Sequence, residues 1–336
     1  METGITFIIT TLNSKVNLGI CLECLSAQEY PKRLIEVLIL DGGSTDGTIE
    51  LAKKFPQAKV IKAGMSDNQE GRRYLGFKKA KFDLVCVLDS DNYLQDRQWI
   101  KKMIQPLIEN PDVVSSFTLH YQYDPNQTIF NRYIALFGGN DPVVYYLGKA
   151  DRTKWTNKKW PRSNQIISYK KGYALVKFSY HDFPTLGSNG SIIRKEFLNL
   201  KKLSADTFFH TDILFDLLKQ GRDTHAVVDT AVLHATSTTL KKHLQKRQGY
   251  MRLHHLQMLS KRRFKIFDYR SIRDWVKLTG FIIISTTGVI PLAESLWGYR
   301  KTKDNAWFLH PLVCFSFLLI YGQAILVHAF YGHPDT

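Results

Sequence analysis

The sequence predicts an α/β protein built on a mostly parallel, doubly wound sheet, continued by apolar C-terminal helices. Three observations carry this. Short apolar runs at residues 5–10, 35–40, 59–61 and 84–88 alternate with helix-patterned segments, the order that builds parallel sheets. The run at 84–88 is apolar at every position, as a strand covered on both faces should be. Far downstream, residues 278–293 carry no charge, and 306–334 carry none apart from three histidines.

Composition narrows the functional classes. With 336 residues, 44% of them hydrophobic, the chain is long enough for a large domain plus an appendage. Cys21, Cys24, Cys86 and Cys314 are too few and too scattered for a disulfide framework or a four-cysteine zinc site. That usage fits a reducing, cytosolic setting, with Cys21 and Cys24 on the packed face of a helix. No basic n-region or apolar h-region opens the chain, so no signal peptide is expected. The net charge is +16, and residues 241–277 hold twelve Lys or Arg against Asp268 and Asp274, which leaves +10 there. A basic block beside uncharged segments is the pattern of attachment to a membrane's cytosolic face. No nucleic-acid recognition motif accompanies the charge, and no nucleic-acid partner is expected.

Candidate chemistry collects at strand ends. The first strand runs into Thr11-Leu12-Asn13-Ser14 and an amphipathic helix. The second ends in Asp41-Gly42-Gly43-Ser44-Thr45-Asp46-Gly47-Thr48. Gly42 and Gly47 have Walker spacing, but Thr48 stands where a phosphate-binding lysine is required, and no Gly-x-Gly-x-x-Gly is present. Asp41 must then serve otherwise, and a carboxylate there can read a base edge or ribose hydroxyls. The fourth strand ends in Asp89-Ser90-Asp91. Two acids one residue apart suit Mg²⁺ or Mn²⁺, which take one or two carboxylates and fill the shell with water and phosphate oxygens; the same residues also suit a helix cap. Helices are expected at 71–79, carrying Arg72 and Arg73, and at 99–108, then a strand at 113–121. Residues 131–162 are aromatic and turn-rich with no clear period, fitting an acceptor surface, a lid or an irregular elaboration. Strands follow at 173–178 and 191–194, with a turn at Gly187-Ser188-Asn189-Gly190 between them. A helix at 208–219 carries Asp212, either a general base or a first-turn acid. A last strand at 226–233 precedes His234 and a basic helix from about residue 239.

In combination, Thr11-Leu12-Asn13, the Asp41–Thr48 motif, the 71–80 helix and Asp89-Ser90-Asp91 resemble the family 2 glycosyltransferases of GT-A fold, inverting enzymes that use nucleotide-diphospho-sugars. The likeness covers about residues 4–250. It implies that Thr11 and Asp41 hold the nucleobase, that Asn13, Arg73 and Ser90 lie on the donor side, and that Asp89 and Asp91 form the metal and donor motif. It places Ser188, Asn189 and Gly190 on the acceptor side. Tyr74 departs from the usual asparagine after the arginine, and His210-Thr211-Asp212 stands where the family carries its Glu-Asp base motif. Gln245 to Tyr250 does not match the Gln-x-x-Arg-Trp of processive synthases, so a single addition is expected, with Lys246 and Arg247 neutralising diphosphate or binding a lipid surface.

The resemblance implies a catalytic domain at 1–240, and the charge and hydropathy pattern basic juxtamembrane helices at 241–277 and a membrane-embedded hairpin at 278–334. A UDP- or GDP-sugar is the expected donor and a lipid-linked molecule the expected acceptor. Residues 307–330 are long enough to span a bilayer; 278–293 is marginal and can span obliquely, lie in the interface or re-enter. The rival reading is a catalytically silent membrane scaffold, against which the intact Asp41, Asp89 and Asp91 speak.

Overall fold

The computed structural model describes residues 3–236, 239–251 and 261–331; residues 252–260 of the expected juxtamembrane helices and the last residues of the expected hairpin lie outside that range. In chain order the elements are β1 (Ile5–Thr11), α1 (Lys15–Ser26), β2 (Ile35–Asp41), α2 (Thr48–Ala52), β3 (Ala58–Lys62), α3 (Gln69–Lys79), β4 (Leu84–Asp89), β5 (Asn92–Tyr93), α4 (Trp99–Glu109) and β6 (Ser115–Tyr121). Then come α5 (Ile129–Phe137), α6 (Pro142–Tyr146), β7 (Ile166–Lys170), β8 (Tyr173–Lys177), β9 (Ser191–Arg194), α7 (His210–Lys219) and β10 (Thr224–His234). The C-terminal helices are α8 (Leu240–Tyr250), α9 (Ile272–Thr287), α10 (Val289–Thr302) and α11 (His310–Tyr331).

One compact unit comprises Met1–Gln122 and Lys159–His234. Its ten-stranded sheet runs β3-β2-β1-β4-β9-β6-β10-β8-β7, with β5 on β10. β1 to β4 are parallel, β2 lying between β1 and β3 and β4 returning to the other side of β1, and β6 and β10 are parallel too. β9 enters antiparallel between β4 and β6, so the sheet is parallel at one side and mixed at the other. Every residue of β1 is buried, which explains its unbroken apolar and threonine pattern: both faces are covered. The register sets Thr11 beside Asp41 and Thr10 beside Asp89, bringing three strand ends to one edge, where ligands of such sheets gather. Cys21 is buried in α1, as expected, and burial pushes its thiol up.

The second unit comprises Tyr123–Lys158 and Ala235–Thr336. The stretch without clear periodicity folds here into α5 and α6. Thr128 caps α5 by accepting from Asn131 N, and Gly138 ends it at φ +83°. Asp141 caps α6 by accepting from Val143 N at 2.9 Å, with Pro142 in the first turn; Pro at that position sacrifices no helical hydrogen bond. Asn305–Val327 is long and apolar enough to cross a membrane, whereas Ile272–Thr287 and Val289–Thr302 form a pair bent by 75°.

Candidate active site

Three loops meet at the carboxyl ends of β1, β2 and β4. Asp41 is buried, and its carboxylate accepts from Gly43 N at 2.8 Å, Ser44 N at 3.0 Å and the Ser44 hydroxyl. It therefore folds the Gly-Gly-Ser turn back on the strand end, with lone-pair capacity to spare on one oxygen. Asn13, at φ +48°, joins this turn to the end of β1: its N–H donates to Ser44 Oγ at 2.9 Å and its Oδ1 accepts from Thr45 N at 2.9 Å. Asn13 thus helps hold the loop that Asp41 folds. Ser14 Oγ lies 2.9 Å from Ser90 Oγ, tying the same loop to the turn after β4. Thr11 Oγ1 is buried with no hydrogen-bond partner among the described residues. A buried hydroxyl at a strand end is costly unless something pairs with it, and a bound base edge would.

Asp89 and Asp91 differ in kind. Asp89 Oδ1 accepts from Arg73 Nη2 at 2.7 Å and from Gln69 Nε2 at 3.0 Å, while Asp89 N donates to Asn92 Oδ1 at 3.1 Å and shapes the turn. Burial alone would raise the Asp89 carboxyl, but Arg73, helped by His234 and His210, brings it below the ordinary range. Among the described residues the Asp91 carboxylate accepts no hydrogen bond, and His234 Nε2 lies 3.7 Å away. β5 accounts for that proximity, since Asn92 pairs with His234 of β10. Among the described residues no three His, Cys, Asp or Glu side chains gather into a protein-only metal cage. The donor set instead offers Asp91 and the second oxygen of Asp89, hard oxygens that suit a Mg²⁺ or Mn²⁺ also held by a substrate's phosphates.

Arg73 is buried and sits at the centre of a network that sequence reasoning missed in part. Its Nη1 is ion-paired with Glu70 and lies 3.0 Å from His210 Nδ1. Glu70 Oε2 accepts from His210 N at 2.9 Å, which satisfies an N–H at the start of α7 that no side chain of its own caps. A negative charge at that end also suits the helix dipole. Burial works to raise the Glu70 carboxyl, and Arg73 and His210 outweigh it, holding it far below the carboxylate range. The i, i+3 spacing of Glu70 and Arg73 was the readable signal; the link to His210, 140 residues on, was not.

The remaining candidates are placed as follows. Asp212 lies buried in the first turn of α7. Tyr74, the departure from asparagine, donates to Leu203 O at 2.7 Å. The 188–190 turn is shaped by Asn189 at φ +51° and Gly190 at φ +87°, and Asn189 Nδ2 donates to the Tyr121 hydroxyl at 3.2 Å. Arg247 belongs to the second unit, where it is ion-paired with Asp141 and donates to the Tyr321 hydroxyl at 3.1 Å; Asp141 and the tyrosine raise its already high pKa against the cost of burial. Lys246 beside it is exposed.

A mostly parallel sheet core with an acid pair at the end of β4, a carboxylate-folded turn after β2 and a buried, unpartnered hydroxyl at the end of β1 has the GT-A architecture. The family model "Glycosyl transferase family 2" matches residues 6–199, and the chain belongs to that family. Among curated relatives, "Glycosyltransferase AglE" of Haloferax volcanii is 28% identical over 133 residues, 38% of this chain and 43% of that protein. A Methanococcus voltae dolichyl N-acetyl-alpha-D-glucosaminyl phosphate 3-beta-D-2,3-diacetamido-2,3-dideoxy-beta-D-glucuronosyltransferase is 29% identical over 106 residues, 30% of this chain and 33% of that protein. The chain thus spans less than half the length of these relatives. Among solved structures, the mannosyltransferase PcManGT of Pyrobaculum calidifontis, in complex with GDP-Man and Mn²⁺, aligns over 99% of this chain and 89% of its own with a TM-score of 0.50 at 11% identity, a likeness of fold.

Proposed function

We propose that the protein is an inverting, metal-dependent hexosyltransferase that moves a sugar from a UDP- or GDP-sugar to a lipid-linked acceptor, a polyprenyl phosphate or polyprenyl-diphosphate glycan, at the cytosolic face of a membrane. The observation that carries this reading is the contrast at the end of β4: Asp89 is bonded to buried Arg73 and Gln69, while Asp91 beside it accepts no hydrogen bond among the described residues. In this scheme Thr11 and the turn folded by Asp41 receive the base and ribose. Asp89 and Asp91 hold the Mg²⁺ or Mn²⁺, which supplies Lewis-acid stabilisation of the leaving diphosphate. Arg73 fixes the orientation of Asp89, and Ser188, Asn189 and Gly190 border the acceptor. Asp212 takes the proton of an acceptor hydroxyl; an acceptor phosphate, already anionic, needs no such base. The acceptor oxygen attacks the anomeric carbon as the nucleotide diphosphate departs from the opposite face, and one displacement inverts the configuration.

Support for a membrane-borne acceptor comes from the second unit. α9, α10 and α11 expose Trp275, Ile283, Val289, Leu296, Leu312 and Leu319, large apolar side chains of the kind that mark a membrane or partner surface, and the sequence just before them, 241–277, is strongly basic. The M. voltae relative, by its name, also acts on a dolichyl-linked sugar. Thermal unfolding of the full chain with Mn²⁺ and a panel of UDP- and GDP-sugars tests the donor assignment. A ligand at about 100 times its Kd should add about 2.7 kcal/mol; no stabilisation by any pair, beside stabilisation by Mn²⁺-free nucleic acid, would overturn it.

A further inference from the structure

α11 has two unlike sides. Leu312, Phe315, Leu319 and Leu326 are exposed and recur at the spacing of one helical face. The other side buries His310, Val313, Cys314 and Phe317 and is bonded to charged groups along its length. At the start, His310 Nε2 is 2.9 Å from Glu294 Oε2, and Glu294 Oε1 accepts from Lys154 Nζ at 2.8 Å. Further on, the Tyr321 hydroxyl donates to Asp141 Oδ2 at 2.5 Å and accepts from Arg247 Nη2 at 3.1 Å. Gln323, exposed on the face of Leu319 and Leu326, has its Oε1 3.4 Å from Gln248 Nε2. Arg247 and Gln248 belong to α8, which also presents exposed Lys241, Lys242 and Lys246.

Suppose α11 stood along the bilayer normal with His310 among the headgroups. Tyr321 would then lie about 16 Å deeper, near the middle of a hydrocarbon layer of about 30 Å. The Asp141–Arg247 pair and the lysines of α8 would be drawn in with it, and charge at that depth is costly. The other apolar helices repeat the pattern. α9 and α10 are about 24 and about 21 Å long, each short of the hydrocarbon thickness, and they part by 75° where Gly288 takes φ +68°. On the protein side Asp274 of α9 is 3.3 Å from Lys149 Nζ and Glu294 of α10 holds Lys154. On the outside lie exposed Ile283, Val289, Ile290, Leu292 and Leu296. Trp275 and Trp297 are half-exposed, with Lys301 Nζ 4.5 Å from the Trp297 ring, and Arg270, Arg273, Arg300, Lys301 and Lys303 are exposed around them.

We propose that α9, α10 and α11 lie in a single leaflet as a monotopic anchor, with no segment of 272–331 crossing the bilayer. The occupant of the apolar faces is an anionic phospholipid leaflet: acyl chains meet the exposed aliphatic side chains, the indoles sit at the interface, and the basic rim meets headgroup phosphates. This rests on the membrane attachment argued above and deepens it, since a one-sided anchor keeps both chain ends on the side of the catalytic unit.

The test is sidedness of the full chain carrying an epitope tag after Thr336, in sealed vesicles oriented with the catalytic unit outward. An impermeant protease should remove the tag as readily as it cuts the catalytic unit, and high salt should leave the protein bound. A tag protected until detergent is added means that α11 crosses, which overturns the one-leaflet anchor and spares membrane attachment. Release by salt alone overturns the apolar seating. Recovery in the soluble fraction, as a monomer or as a dimer covering these faces with a second copy, overturns both.

Discussion

Replacing each acid of the Asp-Ser-Asp turn by its amide should separate fold from chemistry. Among the described residues the Asp91 carboxylate accepts no hydrogen bond, His234 Nε2 stands 3.7 Å away, and the Asp91 side chain is 16% exposed. An amide of the same size costs it no strong contact, so Asp91→Asn should change stability by less than about 0.5 kcal/mol. Asp89 accepts from a buried Arg73 at 2.7 Å. Removing one partner of a buried pair typically costs about 3–5 kcal/mol, and because Arg73 keeps Glu70 the loss in Asp89→Asn should fall near the lower limit, about 3 kcal/mol. At about 2–4 °C per kcal/mol for a domain of this size, Asp89→Asn should lower Tm by about 6–12 °C while Asp91→Asn leaves it in place. Turnover should behave otherwise. On the proposed scheme Asp91→Asn weakens the hold on the Mg²⁺ or Mn²⁺ that would stabilise charge on the leaving diphosphate, an effect worth about 10²- to 10³-fold in kcat. Calorimetry paired with single-turnover transfer at saturating donor and Mn²⁺ checks both. Equal melting losses in the two variants, or wild-type turnover in Asp91→Asn, would refute the division of labour.

Three further outcomes are expected. Asp212→Asn should cost about 10²- to 10⁴-fold in transfer to a hydroxyl acceptor, read against the same variant's unchanged donor-induced Tm shift; near-normal transfer would assign the acceptor oxygen to a phosphate. The Glu70 and Asp89 carboxyls are depressed in the folded chain by Arg73 and its neighbours against burial, so their contribution is complete above the unfolded values near pH 4 and drains away as pH falls through the folded ones. Urea midpoints should hold from pH 7 to about 5 and decline below about 4, and Glu70→Gln should flatten that decline; an unchanged slope would remove Glu70 from the network. Gly190→Ala should destabilise the sheet unit by about 1–3 kcal/mol, because φ is +87° and the new Cβ would sit 3.1 Å from Trp99; a neutral change would show that the turn relaxes.

The parallel half of the sheet was legible because β1, β2 and β4 are buried on both faces and read as short apolar runs. The acids at their ends were legible for a related reason: Asp41 and Asp89 each close an apolar run, where the strand leaves the sheet. β7 was not, since Ile166–Lys170 is an edge strand left largely in solvent, and its residues lack alternation. α5 and α6 hid in an aromatic stretch because Phe130, Tyr133, Ile134 and Phe137 are buried but so are Asn131 and Ala135, which blurs a helical face. Arg247 looked like a free basic residue in a run of its kind; only the fold brings Asp141 and Tyr321 to it. Glu70, Arg73 and His210 form one network across 140 positions of sequence, a distance over which local pattern says nothing.

The measurement that tests the central claim most directly is the anomeric configuration of the product. Incubation of the membrane-bound full chain with an acceptor lipid phosphate or lipid-linked sugar, Mn²⁺ and a UDP- or GDP-sugar of defined anomer, followed by NMR of the released glycoside, reads it. A single displacement at the Asp89–Asp91 site predicts a product of the opposite configuration, formed with Mn²⁺ or Mg²⁺ and lost when the metal is chelated. A product that keeps the donor's configuration, or equal turnover in chelator, would contradict the account.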